Sequence, residues 1–443
     1  MSAFDKIIGY SAEKKELKQI ADILAQPAVY SALGVSAPRG LLLYGEPGVG
    51  KTLMANALIE ASGRPAVVCR KDKPDGDFIK DIKDKFMQAV DCAPSIVFLD
   101  DMDKFTNGDE QHRDAEEYVT VQACIDEVRG KDVFVLATAN NVRVLPHSLQ
   151  RAGRFDRRIK VSAPHGADAI RIVTHYLQGK EIMGDVDTEY IGKLMDGHSC
   201  ADLETVINEA GLLAGYERAS AISLRHFIEA YIKQTYGTAA LPDGDDEDEA
   251  LASFEELRES LRDKENHVGR VACHEIGHAV IAEALDPGSV TLVTLHKAAD
   301  GYKGFTAVYN SAPGDALRNK RRQVMTALGG MAAVEQKYGT ADIGNQSDLE
   351  TAFDIVNTLV TVSCAYGFVH RDGAYRNSET AIAAAEQVAA AEIERYHRRD
   401  KEILAENHEL FDKLIAALLE KKTLTAADIA EIKKTCTLTT FAA

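Results

Sequence analysis

A glycine-rich loop that ends in lysine and threonine constrains the fold of this chain more than any other segment. Residues 45–52 read Gly-Glu-Pro-Gly-Val-Gly-Lys-Thr and match the pattern GxxxxGK[ST] at every fixed position. An apolar run at residues 40–44 precedes the loop, and a helical pattern follows it. This order predicts a strand, a phosphate-binding loop and a helix, which begin an α/β nucleotide-binding unit. A glycine-rich turn without a ligand is the alternative.

The residue types of this loop suit a nucleoside triphosphate. Glycines let backbone N–H groups close around phosphate oxygens, and the helix N-terminus adds partial positive charge. Lys51 would reach the β- and γ-phosphates, and the Thr52 hydroxyl would join the shell of a Mg²⁺ ion. The candidate residues are Gly45, Glu46, Pro47, Gly48, Val49, Gly50, Lys51 and Thr52.

Apolar runs alternate with helical patterns throughout residues 1–165. The runs after the loop lie at residues 66–68, 95–99 and 133–136, and such runs are typical of a parallel sheet covered on both faces. The third run of the unit, 95–99, ends in Asp100 and Asp101. There the first acid would bind Mg²⁺ and the second would lie near the attacking water. The second acid is usually glutamate. The shorter side chain of Asp101 therefore predicts slower ATP hydrolysis or a shifted position of the attacking water. The alternative is that the two carboxylates only cap the next helix.

Strand signals stop after residue 165, and the rest of the chain is mainly helical. Residues 166–240 are predicted to form a small helical subdomain. In residues 243–249, six of seven positions are acidic. Such a run repels itself and buries nothing, so residues 241–262 are predicted to be a linker, with a docking tail as the alternative. Residues 263–443 are predicted to form a second, mainly helical domain.

Composition excludes several classes of protein. The chain has 443 residues, of which 51 are basic and 69 acidic, for a formal charge of −18. This balance argues against a surface that neutralises the phosphates of DNA or RNA, but not against one bound nucleotide. Seven cysteines without a CxxC pair indicate a reducing compartment. No run approaches the roughly 18 apolar residues that a membrane helix needs, so no membrane span is predicted.

A second chemical motif, HExxH, lies at residues 274–278 inside a helical pattern. Residues i and i+4 share a helix face, so His274 and His278 could bind one Zn²⁺ ion. Glu275 would lie beside the metal, where it can take a proton from water and pass it to the leaving amine. A catalytic zinc needs a third protein ligand, and the local sequence offers none. The alternative is a solvated helix that carries two histidines.

Residues 1–236 resemble the AAA module of the FtsH family of ATP-dependent proteases. The resemblance implies that Ile8 and Gly9, in the segment 4–9, hold adenine through backbone groups. It also implies that Asn140, which ends a strand as the family's sensor residue does, orients the water near the γ-phosphate. Residues 197–203 resemble the family's lid turn, with Cys200 in place of a glycine.

Residues 149–157 resemble the family's arginine-finger box. By this resemblance, Arg151 and Arg154 would reach the ATP of a neighbouring subunit in a ring. A surface basic cluster is the alternative. The family threads its substrate with a loop that contains an aromatic residue and a glycine, where this chain has Pro74, Asp75 and Gly76. Because the aromatic residue is absent, the sequence predicts an altered grip on substrate or weakened threading.

Residues 264–280 resemble the start of the FtsH protease domain. In the family, an aspartate after a Gly-Gly helix supplies the third zinc ligand, and Asp348 stands at that position. Helix capping is its alternative role, since Ser347 and Glu350 have capping-box spacing. Residues 290–295 resemble the family's edge strand beside the zinc, which would bind an extended peptide by strand addition. An ordinary structural hairpin is the alternative there.

The sequence therefore predicts an α/β P-loop AAA module with a helical lid, followed by a mainly α-helical zinc metallopeptidase domain. The resemblance implies an ATP-dependent zinc endopeptidase that uses Zn²⁺, ATP and Mg²⁺, cleaves protein or peptide substrates and assembles as a homo-hexamer. It implies a cytoplasmic location, on the cytoplasmic face of a membrane if anchor helices precede the chain. One alternative is a peptidase gated by a weakly active AAA ring, and another is a nucleotide-switched chaperone with a vestigial metal site.

Overall fold

The computed structural model describes residues 2–71, 77–106, 115–151, 153–237, 267–296, 304–310, 316–340, 346–367 and 379–442. The chain divides into two compact units, Met1–Ile222 and Ser223–Ala443. The sequence-based boundaries at residues 165, 240 and 262 stay predictions. Both the acidic linker at 241–262 and the predicted threading residues Pro74, Asp75 and Gly76 lie outside the described residues.

The first unit alternates strands and helices around a parallel sheet. Its strands are β1 (Gly40–Tyr44), β2 (Ala66–Cys69), β3 (Ser95–Leu99), β4 (Val133–Ala139) and β5 (Arg157–Lys160). Its helices are α1 (Ser11–Ala25), α2 (Pro27–Ala32), α3 (Lys51–Ser62), α4 (Phe78–Asp91), α5 (Glu116–Glu127), α6 (Ala167–Leu177), α7 (Thr188–Leu194) and α8 (Cys200–Tyr216). The strand order is β2-β3-β4-β1-β5, and every pair is parallel.

The four apolar runs of the sequence all form strands of this sheet. The strand that sequence analysis missed is β5, in which only Ile159 is buried. As an edge strand paired with β1 alone among the described residues, β5 can expose its charged side chains and shows no apolar run. The order places the C-terminal ends of β1, β3 and β4 side by side, where ligands bind in open parallel sheets.

The second unit is mainly helical, as predicted. Its helices are α9 (Leu224–Tyr236), α10 (His267–Leu285), α11 (Leu317–Tyr338), α12 (Gln346–Thr361), α13 (Glu379–Glu406), α14 (His408–Lys421) and α15 (Ala426–Lys433). A small antiparallel sheet contains β6 (Val290–Thr294), β7 (Phe305–Val308) and β8 (Thr423–Thr425). Among the helices of the described ranges, none is long and apolar enough to cross a membrane.

The strand predicted at residues 290–295 exists, but its predicted position at the edge of a sheet is wrong. β6 is the middle strand, in the order β7-β6-β8. Its second neighbour, β8, comes from a segment about 130 residues away, which pairs Leu292 with Thr425. A pairing at this distance in sequence leaves no local pattern, so no sequence feature indicated that β6 has a strand on both sides.

Helices α10 and α11 pack in direct backbone contact at the centre of the second unit. A Cβ atom on Gly277 would lie 2.4 Å from the carbonyl oxygen of Gly329, and one on Gly329 would lie 2.9 Å from that of Gly277. Real Cβ atoms essentially never come so close, so both positions require glycine. This contact brings α11 against the helix face that carries the HExxH motif.

Candidate nucleotide and metal sites

The glycine-rich loop connects β1 to α3, as the sequence predicts. Gly45, Gly48 and Gly50 have φ angles of 152°, 77° and 94°, a region that other residues rarely adopt. A Cβ on Gly45 would lie 1.8 Å from the carbonyl oxygen of Val161, so no side chain fits there. The loop therefore turns directly into α3, whose first N–H groups have no partner within the helix and can bind an anion.

Lys51 lies buried at the first turn of α3. Its Nζ donates hydrogen bonds to the carbonyl oxygens of Gly45 and Glu46, at 2.8 and 2.6 Å. Burial lowers the pKa of Lys51, and nearby carboxylates, Asp101 first among them, oppose that shift. Phosphate oxygens would offer this ammonium group charged acceptors, which form stronger hydrogen bonds than neutral carbonyls.

Asp100 and Thr52 meet at the end of β3. The Thr52 hydroxyl donates to Oδ1 of Asp100 at 3.3 Å, and the hydroxyl of Thr138 in β4 donates to the same oxygen at 2.8 Å. Oδ2 of Asp100 lies 3.8 Å from Nη1 of Arg70. A hydroxyl and a buried carboxylate in contact are the pair that P-loop proteins use to hold Mg²⁺. Sequence analysis missed Thr138, whose only signal is a polar residue inside an apolar strand.

Asp101 follows with a left-handed backbone, at a φ of 52°. Its Oδ2 accepts a 2.8 Å hydrogen bond from Lys104, and its Oδ1 lies 3.5 Å from Nδ2 of Asn140. The backbone N–H of Asn140 donates to Asp103 at 3.0 Å, which fixes the end of β4. The structure thus brings the predicted pair Asp101 and Asn140 together, and it adds Lys104 and Asp103, to which the sequence analysis assigned no role.

The segment of Ile8 and Gly9 packs against the helical part of the first unit. Gly9 has a φ of 70°, and the next residue, Tyr10, donates its backbone N–H to Asp168 at 3.1 Å. The Tyr10 hydroxyl lies 3.4 Å from Sγ of Cys200, at the first residue of α8. Sequence analysis missed both Tyr10 and Asp168, which hold this segment in place.

The lid turn contacts the glycine-rich loop directly. The backbone N–H of Ala201 donates to the carbonyl oxygen of Gly48 at 3.1 Å, and a Cβ on Gly48 would lie 2.7 Å from the Ser199 hydroxyl. Ser199 and Asp202 form a capping box that begins α8 at this point. Since Cys200 lies between these contacts and Tyr10, the segment of Ile8 and Gly9, the lid turn and the glycine-rich loop meet in one place.

The two predicted finger arginines differ in their surroundings. The guanidinium of Arg154 donates to Asp126 at 2.8 Å, to Gln122 at 2.9 Å and to the carbonyl oxygen of Ser148 at 2.7 Å. Arg151 is exposed. Three contacts within its own chain hold Arg154 in place, so Arg151 is the arginine of the pair that is free to reach outward.

His274, His278 and Asp348 converge in the second unit. Nε2 of His274 lies 3.0 Å from Nε2 of His278, and Oδ2 of Asp348 lies 3.1 Å from the first and 3.5 Å from the second. Ligand atoms 2.0–2.1 Å from a tetrahedral zinc lie roughly 3.3 Å apart, so both the donor set and its spacing fit zinc. Asp348 lies in the first turn of α12 with its carboxylate at the histidines, which favours the ligand role over helix capping.

Hydrogen bonds and charge prepare this cluster for a cation. Nδ1 of His278 lies 2.7 Å from the carbonyl oxygen of Thr326 in α11, so Nδ1 donates its proton to that oxygen and Nε2 is the nitrogen that faces the cluster. Burial lowers the pKa of His278, but the hydrogen bond and charge of Asp348 raise it to about 9. Burial likewise raises the pKa of Asp348, but its two histidine partners hold that pKa well below its usual range.

Gly330 makes room for the two imidazoles. A Cβ there would lie 2.5 Å from Cε1 of His274 and 2.6 Å from Nε2 of His278. The sequence showed Gly329 and Gly330 only as part of a family match. The structure assigns them separate tasks, since Gly329 touches the backbone of α10 and Gly330 faces the ligand rings.

Glu275 is buried beside the cluster and contacts β7. The Thr306 hydroxyl lies 2.9 Å from both Oε2 and the backbone carbonyl oxygen of Glu275, and it can donate to either. Burial raises the pKa of Glu275, while the two histidines and Thr306 oppose that rise. Glu335 in α11 pairs with His397 at 2.8 Å and Lys401 at 2.6 Å.

Replacing Thr306 with valine tests its contact with Glu275. A hydrogen bond of this kind contributes about 1.5 kcal/mol, so we expect kcat for the peptide cleavage that the family resemblance implies to fall roughly tenfold, with KM and zinc content unchanged. Steady-state kinetics and metal analysis of the purified variant measure these quantities. Thr306→Ser keeps the hydroxyl and should restore kcat; equal losses in both variants would contradict the positioning role.

Comparison with known proteins identifies the class to which these two sites belong. The model of the ATPase family associated with various cellular activities (AAA) matches residues 41–163. The model of peptidase family M41 matches residues 260–432. The chain is therefore an AAA ATPase module joined to an M41 peptidase module, which confirms the predicted fold class.

Curated relatives define the family. The chain is 31% identical to ATP-dependent zinc metalloprotease FtsH 3 of Sphaerobacter thermophilus, over 97% of this chain and 87% of that protein. It is 30% identical to FtsH of Caldicellulosiruptor bescii, over 97% of this chain and 71% of that protein. For FtsH of Ureaplasma parvum serovar 3 the identity is 29%, and the chain spans only 59% of that relative's length. The chain belongs to the FtsH family of ATP-dependent zinc metalloproteases.

Proposed function

We propose that this chain is an ATP-dependent zinc endopeptidase, in which ATP hydrolysis in the AAA module delivers protein substrates to the M41 module. The observation that carries this proposal is the cluster of His274, His278 and Asp348 with Glu275 buried beside it. If the helix carried the two histidines for another reason, an aspartate 70 residues away in sequence would not need to lie at zinc-ligand distance from them. Family membership supports the same activity.

His274, His278 and Asp348 are the residues that would hold zinc. Lewis-acid activation of water and of the peptide carbonyl is the chemistry that zinc supplies in such a site. Glu275 accepts the proton of the attacking water at its carboxylate and passes it to the nitrogen of the leaving amine. Thr306 holds the carboxylate of Glu275 in position for this transfer. The burial that raises the pKa of Glu275 also makes its carboxylate a stronger base.

In the AAA module, the loop 45–52 would hold the phosphates of ATP, with Lys51 as the charged donor. Thr52 and Asp100, whose side chains are in contact, would hold Mg²⁺. Asp101 and Asn140 would position the attacking water, and the left-handed backbone of Asp101 sets the direction of its shorter side chain. The segment of Ile8 and Gly9 would bind adenine.

Replacing Asp101 with asparagine removes the carboxylate nearest the proposed water. We expect ATP hydrolysis to fall by about 10²-fold, because general-base catalysis contributes at least this much, while ATP binding stays within about twofold. A phosphate-release assay and nucleotide titration measure the two effects. Lys51→Ala, which should lose binding as well, serves as the contrast; unchanged hydrolysis in the asparagine variant would exclude Asp101 as the base.

The proposed assembly is a homo-hexamer with protein or peptide substrates, located in the cytoplasm or on the cytoplasmic face of a membrane. Arg151 is the better candidate for the finger that reaches a neighbour's ATP, because it is exposed and Arg154 is held within its own chain. A substrate strand would add to β7 rather than to β6. β7 carries Thr306 beside Glu275, and among the described residues its only strand partner is β6.

Neither alternative function gains support. A vestigial metal site would not be expected to keep two imidazoles and a carboxylate at ligand spacing. The gated peptidase was motivated by Asp101 and by Pro74, Asp75 and Gly76, and the latter three lie outside the described residues.

Degradation of a folded, tagged protein tests the whole proposal. We expect cleavage to require both ATP and zinc, so that the Lys51→Ala variant and the chelator-treated wild type both leave the folded substrate intact. An unfolded peptide should still be cleaved by Lys51→Ala, which separates the motor from the peptidase. Cleavage of the unfolded peptide but not of the folded protein, even with ATP, would favour the gated peptidase, and no cleavage of any substrate by the zinc-loaded protein would overturn the proposal.

A further inference from the structure

A cleft lined by four arginines lies in the second unit, formed by side chains of α11 and α13. Its volume is about 410 Å³, and its walls include Arg321, Arg395, Arg398, Arg399, Tyr396 and Glu402. The volume lies within the range of small-molecule sites. None of the proposed zinc ligands lines the cleft, so its chemistry is separate from peptide hydrolysis.

Among the described residues, carboxylates form ion pairs with two of the four arginines of the cleft. Arg395 pairs with Glu392 at 2.5 Å, and Arg399 pairs with Glu402 at 2.6 Å. Within the described ranges, no ion pair is formed by Arg321 or Arg398. Two uncompensated cations in one cleft repel each other, which is unexpected in a chain with a net charge of −18.

Asp400 does not remove this imbalance. It follows Arg399 directly but is fully buried, and neither of its oxygens has a hydrogen-bond partner among the described residues. Burial raises the pKa of Asp400 well above its usual range and so favours its neutral form, and among the described residues Asp400 forms no ion pair with an arginine of the cleft.

Aromatic rings hold three of the arginines in place. The guanidinium carbon lies 5.1 Å from the ring centre of Tyr396 for Arg395, 4.8 Å from that of Phe441 for Arg399, and 5.9 Å from that of Tyr366 for Arg321. Stacking fixes the plane of a guanidinium and lowers the entropy that an arginine loses when it binds a ligand.

Arg321 also has an unused donor. Its Nε is buried and has no hydrogen-bond partner within the described part of the chain. Buried N–H donors nearly always have an acceptor, so this donor indicates an acceptor that lies outside the described residues. Oriented guanidinium groups with free donors match the paired oxygens of phosphate better than a flexible ammonium group does.

We propose that this cleft binds a small compound with several phosphate groups, held by Arg321 and Arg398 as the unpaired cations and by the stacked Arg395 and Arg399. The volume favours a linked phosphate chain over a single phosphate ion. A bare polyphosphate and the phosphates of a nucleotide share this chemistry, and the experiment below distinguishes them.

Isothermal titration of the full chain with tripolyphosphate tests the proposal, in a Lys51→Ala background that disables the glycine-rich loop. We expect saturable binding of one molecule per chain. In the double variant Arg321→Gln, Arg398→Gln, binding should weaken at least about tenfold, since each arginine–phosphate contact is a charge-assisted hydrogen bond. The matched control is Arg318→Gln, an exposed arginine one turn earlier on α11 that does not line the cleft, and it should bind normally.

Further titrations identify the ligand. Tighter binding of ATP than of tripolyphosphate would assign a nucleotide, and equal binding would assign a bare phosphate chain; both support the site. Equal binding of citrate would overturn the preference for phosphate. Absence of saturable binding, or identical binding by the double variant and the Arg318→Gln control, would overturn the site itself. Circular dichroism and peptide cleavage confirm that each variant is folded.

Discussion

Replacing Glu275 with glutamine should lower peptide cleavage by about 10³-fold, since a positioned acid–base group typically contributes 10² to 10⁴. Glutamine has nearly the same shape and can still contact Thr306, but it cannot accept the proton of the attacking water. The burial that raises the pKa of Glu275 makes the residue a stronger base, so the loss should not fall at the lower end of this range. A fluorogenic peptide assay measures it.

Two further measurements separate this loss from damage to the fold. Zinc content should be unchanged, because the donor atoms belong to His274, His278 and Asp348. ATP hydrolysis should also persist, since its residues lie in the other unit. Glu350→Gln, an exposed carboxylate two residues from Asp348, is the control and should cleave normally. Peptide turnover near the wild-type rate in Glu275→Gln would refute the assignment of the base.

The parts of the protein that the sequence predicts are those set by short-range patterns. The loop 45–52 needs only its own glycines, Lys51 and the flanking strand and helix, and it forms where expected. His274 and His278 share a helix face because of their spacing, whatever the rest of the fold does. The buried strands of the first unit are apolar on both faces, so each is visible as a continuous run.

What the sequence did not predict depends on contacts between distant segments. Nothing near the HExxH motif indicates Asp348, which only the family resemblance supplied. Thr306 meets Glu275 across 31 residues, and the middle position of β6 depends on β8. Gly330 resembles any helix glycine until α11 is packed against α10. Such contacts form only when the fold is complete, so no local period or spacing reports them.

Replacing Gly330 with alanine should strongly lower the affinity of the chain for zinc. The added Cβ would lie 2.5–2.6 Å from His274 and His278, well inside van der Waals contact. Separation of α11 from α10 would break their close backbone packing at Gly277 and Gly329, so we expect the imidazoles to rotate instead. Altered ligand orientation alone typically costs 10- to 100-fold in metal affinity, so we expect a loss of at least about 100-fold, with a matching loss of peptide cleavage.

The direction of this effect is informative, because alanine normally stabilises a helix interior by about 1 kcal/mol relative to glycine. Gly211 in α8 supplies the control, since a Cβ there would meet only Ile222 at an ordinary 3.5 Å. Gly211→Ala should therefore keep its zinc and unfold at the same or a higher temperature. Competition with a zinc chelator gives the affinity of each variant, and thermal unfolding gives the stability. If Gly330→Ala bound zinc as tightly as Gly211→Ala, the ligand rings would not be confined as the structure describes, because of these two glycines it is Gly330 that faces the imidazoles.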